Sequence, residues 1–276
     1  MNQQSKINPS IKVLAGAALI AVSGVAIAAD FEGSYFGLSG GLSEGKTTTS
    51  RSLVYRSPPP GGNAANLLQQ QNMVASTGQG LKTTDFTGGA QVGYNWRSGN
   101  VVFGLEFDAN YLSLKRSSTA STTFVTTNGN ATKSVTANDS EDSSWVATLR
   151  PRIGYLVTEK SLVYVTGGFA FSDQKFNNST TIAVLAGGGC GPGTYGAYAS
   201  NGSKASGSVW GAGYEYAWSK NMNVKAEYQH LRFGNSQAQG ANSSAFCAVT
   251  DLTGSTVTTN SNVKADVLRV GVNWKF

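Results

Sequence analysis

The segment VVFGLEFDANYLSL places Val101, Phe103, Leu105, Phe107, Ala109 and Tyr111 on one face and Gly104, Glu106, Asp108 and Asn110 on the other. A period of two held over more than ten residues predicts a β-strand with one apolar face. Strands of water-soluble sandwiches run to about 5–6 residues, whereas a tilted strand crossing a bilayer needs about 9–11. Seven further segments repeat the pattern, at about residues 35–43, 85–96, 144–157, 162–172, 208–218, 223–233 and 263–276. Pro151 interrupts the fourth strand. Because proline donates nothing to a ladder, it asks for a local bulge or an end-of-ladder position.

The links between these strands alternate in length. Short ones lie at 97–100, 158–160 and 219–222, and long polar ones at about 44–84, 115–143, 173–207 and 234–262. That alternation suits an even-numbered outer-membrane barrel with tight periplasmic turns and longer extracellular loops. Lipid cannot hydrogen-bond a sheet edge, so such a sheet must close on itself. The expectation is an all-β fold, an eight-stranded antiparallel transmembrane β-barrel with short periplasmic turns and four long extracellular loops. Both termini would face the periplasm, and a barrel of this size is filled mainly by its own side chains.

Composition agrees. Charged residues make up 13% of the chain, about half the usual share of a soluble domain. Disorder does not explain this, because 5 Trp, 11 Tyr and 12 Phe recur in regular blocks and disordered chains are poor in aromatics. Beyond the N-terminus no run of about 20 apolar residues offers a transmembrane helix. The N-terminus itself has Lys6 and Lys12, an apolar run from Val13 to Val25, and Ala26-Ile27-Ala28, a small-x-small cleavage site. This order predicts a secretory signal peptide over residues 1–28, cut there or one residue later, and a barrel domain over 29–276. Loss of the two lysines takes the formal charge from +6 to +4. So modest a surplus suits anionic lipid or lipopolysaccharide nearby and excludes a nucleic-acid footprint.

The inward faces carry Glu106, Asp108, Arg150, Arg152, Glu215, Lys225, Glu227 and Arg269. Buried ions should pair, since isolated ones are costly. Equal numbers of each sign favour a salt-bridge network that plugs the lumen, and an ion path is the other reading. His230 is the single histidine. It is a weak haem candidate, because no serine, cysteine or acid forms a recognisable motif around it. Clustered His and acids, which a barrel enzyme would need at its rim, are absent from the sequence, so no catalytic residues, metal site or cofactor are expected. Cys190 and Cys247 fall in the third and fourth long links; export makes a disulfide possible, and two separate thiols are the alternative. The glycine-rich Gly187-Gly188-Gly189 has no phosphate-binding context. In the last strand Leu268, Val270, Val272, Trp274 and Phe276 share one face. A terminal Phe behind alternating apolar residues resembles the signal read by the barrel-assembly machinery, which would pair with an open strand edge.

Asp30-Phe31-Glu32-Gly33-Ser34-Tyr35-Phe36-Gly37 resembles the start of alphaproteobacterial small outer-membrane proteins of the RopB type. These are relatives of surface immunogens and haemin-binding proteins often labelled "porin family". Gly93-Tyr94-Asn95-Trp96, Phe103-Gly104-Leu105-Glu106, Arg152-Ile153-Gly154-Tyr155, Tyr164-Val165-Thr166-Gly167-Gly168 and Val270-Gly271-Val272-Asn273-Trp274-Lys275-Phe276 carry the resemblance across nearly the whole mature chain. It implies an abundant, surface-exposed barrel of the OmpA type in the outer membrane. The expected role is structural, with host or environmental ligands meeting the loops. A narrow porin or haemin-binding surface protein is the alternative.

Overall fold

The computed structural model describes residues 31–54, 64–112, 116–126, 131–187, 192–242 and 255–276. The segment predicted to be a signal peptide, Cys190 and Cys247 lie outside them. Ten antiparallel strands and one helix are present among the described residues: β1 (Gly33–Val54), α1 (Ala64–Ser76), β2 (Gln79–Ser98), β3 (Val101–Leu112), β4 (Arg116–Val125), β5 (Ala131–Asp142), β6 (Trp145–Thr158), β7 (Ser161–Gly187), β8 (Gly193–Ala217), β9 (Met222–Ala241) and β10 (Thr256–Lys275). Hydrogen-bonded neighbours run β1-β2-β3-β6-β7-β8-β9-β10, and β10 pairs back with β1, so the sheet is closed. The last strand therefore has no open edge, being paired to β1 on one side and β9 on the other.

Each of the eight predicted segments overlaps a strand of this ring, but the long links between them are not mainly loops. β1 continues to Val54, β7 to Gly187, β8 starts at Gly193, β9 runs to Ala241 and β10 starts at Thr256. The link between β3 and β6 folds into its own hairpin, β4–β5, which adds to the far half of β7 where β6 has ended. The link between β1 and β2 contains α1. At 20–27 residues, β1, β2, β7, β8, β9 and β10 are about twice the length a bilayer crossing needs. The barrel thus has two storeys. The storey next to the short turns is ringed by exposed apolar side chains, and the far storey is polar on its outer face.

The outward band includes Leu38, Val92, Leu105, Phe107, Leu149, Ile153, Val165 and Val270. Trp96, Tyr155, Trp218 and Trp274 border it at the turn end, and Tyr111, Trp145 and Trp210 at the other. In water such a surface would drive aggregation; in a bilayer it is the lipid face, with aromatic girdles at its edges. The turns are tight. That between β2 and β3 uses Gly99 at φ +60°, with the Arg97 side chain donating to its carbonyl at 2.8 Å.

Pro151 departs from expectation in an instructive way. It faces Leu105 of β3. Towards β7 the ladder stops at Leu149–Phe169 and resumes at Arg152–Thr166 in the same register. Pro151 therefore sits in a gap opposite Gly167 and Gly168, not in a bulge. The Thr166 hydroxyl donates to its carbonyl at 3.0 Å.

Candidate functional site

The interior of the membrane-level storey is built by the inward parity of the same strands. β3 supplies Glu106 and Asp108, β6 Arg150 and Arg152, β8 Glu215, β9 Lys225 and Glu227, and β10 Arg269. All eight are at most 4% exposed. Arg150 joins opposite walls, pairing with Glu106 and with Asp108 (2.7 Å) on β3 and with Glu227 on β9. Lys225 lies 3.1 Å from Glu106 and 3.3 Å from Glu227. Arg269 reaches Asp108 at 3.3 Å and Glu227 at 3.4 Å, and Arg152 binds Glu215 at 2.6 Å. One connected network thus holds the predicted residues, with charges of both signs matched. In a medium of low dielectric this arrangement is stable only because each ion has several partners.

Neutral side chains complete the network, and the sequence reading missed them. The Tyr35 hydroxyl donates to Glu106 and that of Tyr164 to Glu227, each at 2.7 Å. The Thr148 hydroxyl donates to Asp108 at 2.7 Å. The two tyrosine rings flank the Arg152 guanidinium, whose carbon lies 5.3 Å and 4.7 Å from their centroids. Gly93 and Gly213 make room for them: a Cβ at either position would run into the Tyr35 or the Tyr164 ring. The available signal was the pairing of an inward-parity tyrosine with a glycine on the neighbouring strand.

Apolar layers bound the network on both sides. Towards the turns lie Phe31, Val102, Leu156, Leu162 and Ala217. On the other side lie Leu112, Val146, Phe176, Leu231, Phe233 and Val263. Above the second layer the far storey holds further buried ions. Arg51 pairs with Asp139 and Arg116 with Glu141 (3.5 Å), while the Thr47 hydroxyl donates to Glu141 at 2.6 Å. Burial raises the Glu141 carboxyl above its ordinary range, against the pull of Thr47 and Arg116. A third apolar group, with Leu53, Val74, Phe124, Val135, Ile182 and Val257, tops this chamber and includes the inner face of α1.

The remaining candidates lie on the outside. The predicted segment 223–233 puts His230 near its outer end, but β9 runs on to Ala241, so His230 is mid-strand. Its Nδ1 is 2.8 Å from Asp266 of β10, and its ring lies 5.4 Å from that of Trp210. No cluster of metal-ligating side chains occurs among the described residues. Leu268, Val270, Val272 and Trp274 face outward along β10, and Phe276 is 86% exposed at its end.

A family model for the outer membrane protein beta-barrel domain matches residues 14–276. The chain belongs to that family. This outer-membrane barrel is 28% identical over 247 residues to the 31 kDa outer-membrane immunogenic protein of Brucella melitensis, covering 88% of this chain and 83% of that one. It is 25% identical over 201 residues to the 25 kDa outer-membrane immunogenic protein of Brucella abortus, covering 73% and 70%. Both relatives are alphaproteobacterial, as the N-terminal motif implied, and the cell outer membrane is where this barrel resides. Among solved structures, the outer membrane protease OmpT of Escherichia coli overlaps at TM-score 0.41 with 9% identity, covering 88% of this chain and 97% of that one. The attachment invasion locus protein Ail of Yersinia pestis overlaps at TM-score 0.30 with 10% identity, covering 87% and 99%. Overlaps this low add nothing to the fold described above.

Proposed function

We propose that this protein is a structural, surface-exposed barrel that crosses the outer membrane eight times and does not conduct. The single observation that carries this reading is the lumen, where the ion network is stacked between two buried apolar layers. In this reading the short turns and both termini face the periplasm and the far storey stands outside the cell. That storey makes external contacts, and the membrane-level ring contributes to envelope integrity. The outward apolar run from Leu268 to Phe276 serves assembly, through the barrel-assembly machinery, before β10 pairs with β1. No residue acts as a catalyst. His230, turned outward and held by Asp266, serves at the girdle and not as a haem ligand. Purified protein in planar bilayers is expected to stay silent; sustained unitary openings would overturn the reading in favour of a narrow pore. A deletion strain is expected to become sensitive to detergents, and wild-type resistance would remove the integrity role.

A further inference from the structure

Outward-facing charge is not spread evenly over the far storey. Lys46 of β1 stands directly opposite Lys82 of β2 on one side and Lys264 of β10 on the other. Lys264 in turn stands opposite Arg232 of β9. All four side chains are exposed. They form an unbroken row of cations across four adjacent strands, spanning about 15 Å at the ordinary inter-strand spacing. Like charges directly opposed across a sheet repel. Glu44 relieves one of them, 3.6 Å from Lys82, whereas Asp266 is engaged by Tyr228 and His230. Among the described residues no acid pairs with Lys46, Lys264 or Arg232. On the opposite wall the outward Lys175 faces Asp142 across the ladder, so charge there is balanced.

The row also has a defined depth. Below it in register come Glu44, Asp266 and His230, then Phe86, Leu42, Leu268 and Tyr228 at the top of the apolar band. Ten residues of β10 separate Lys264 from the girdle residue Trp274, which is about 25 Å of height for a strand tilted by about 40°. That is the thickness of the lipid-facing band, so Lys264 and its neighbours stand where lipid headgroups begin. An apolar groove lined by Leu38, Gly40, Val224, Val270 and Trp274 lies lower on β1, β9 and β10, starting six residues below the row and reaching the turn-end girdle.

We infer that the Lys82–Lys46–Lys264–Arg232 row is a binding site for the phosphorylated glycolipid of the outer leaflet, with phosphates on the cations and acyl chains against the apolar band below. The inference rests on the outward orientation of the far storey proposed above. Charge complementarity selects the occupant: repulsion built into the row is relieved by a ligand carrying more than one phosphate, and Phe86, Leu42 and Leu268 at the top of the band meet its apolar tail.

The test uses the full mature chain folded in detergent micelles and titrated with bisphosphorylated lipid A, its dephosphorylated form, and inorganic phosphate. Saturable binding of the bisphosphorylated lipid is expected, with at least tenfold weaker binding by the other two. A triple variant, Lys46→Gln with Lys264→Gln and Arg232→Gln, should lose at least tenfold in affinity, whereas Lys220→Gln in the β8–β9 turn should lose none. Undiminished binding by the folded triple variant, or equal binding of the dephosphorylated lipid, would overturn the site. Competition by equimolar inorganic phosphate would overturn it too, since the row would then take any phosphate. Fold is checked by the mobility shift between unheated and heated samples. Orientation is read separately by protease added to whole cells, so cleavage of the far storey together with a failed titration sinks the glycolipid site alone.

Discussion

Arg150 shows how one residue holds the lumen together. It is fully buried, and it neutralises carboxylates from β3 and β9 at once. Replacing Arg150 with Met would leave Glu106, Asp108 and Glu227 facing one another in a low-dielectric interior with fewer counter-ions. Removing one partner of such a network costs about 3–5 kcal/mol. Urea unfolding in micelles should show a loss of that size, and a loss below about 1 kcal/mol would mean that water already enters the lumen. Glu141 in the far storey behaves oppositely. Burial raises its carboxyl above the ordinary range, so its contribution to stability is full below the unfolded value of about 4.3. The contribution is lost as pH rises through the higher folded value. Glu141→Gln should therefore gain stability relative to wild type between about pH 4 and pH 7. Parallel melting curves against pH for the two proteins would disprove this.

Whole elements divide into those whose pattern named them and those whose pattern did not. The membrane-level strands alternate apolar and polar residues because lipid lies on one side and the ion network on the other, and that contrast is readable from VVFGLEFDAN alone. The continuations are polar on both faces. In β1, Thr47, Thr49 and Arg51 face inward while Lys46, Thr48 and Ser50 face outward, so no alternation marks a strand. A weaker signal was present in part: the outer stretches of β1 and β10, like β4, are rich in threonine, a good strand former. α1 was also legible in part, since AANLLQQQNMVAS lacks β-branched residues until Val74. Its Gln71 donates to the Leu53 carbonyl at 3.1 Å, and Arg51 donates to the Thr77 carbonyl just past its end at 2.7 Å. Replacing Ala64–Ser76 by a Gly/Ser linker of equal length should uncover Leu53 and Val257 without opening the ring. The unheated mobility shift should persist while external protease cuts the far storey sooner. Collapse of the mobility shift would show that α1 is needed for the ring as well.

At the scale of the molecule, the sequence specified closure and the turn end but not the second storey, because closure follows from lipid whereas the height of the barrel does not. The eight inward charges were predictable because parity alone fixes which residues share the lumen; their pairing across it needed the strand tilt that brings Arg150 to Glu227. Closure is also unequal along the axis. At membrane level every ring strand is paired on both sides. In the far storey β3 and β6 have ended, and β5 pairs with both β4 and β7, while β4 has a ladder only with β5. The wall therefore has a seam between β4 and the outer half of β2. Strand edges at such a seam open locally at low cost. Hydrogen exchange should then grade the molecule: slowest in β1 and β10 at membrane level, intermediate in β5, and at least tenfold faster at alternate amides of β4 and of residues 79–86. Uniform protection across β4 and β5 would mean that the seam is closed in solution by a contact with β2. A fast seam would instead make this line of the wall the place where the far storey can widen without any change in the sealed lumen below.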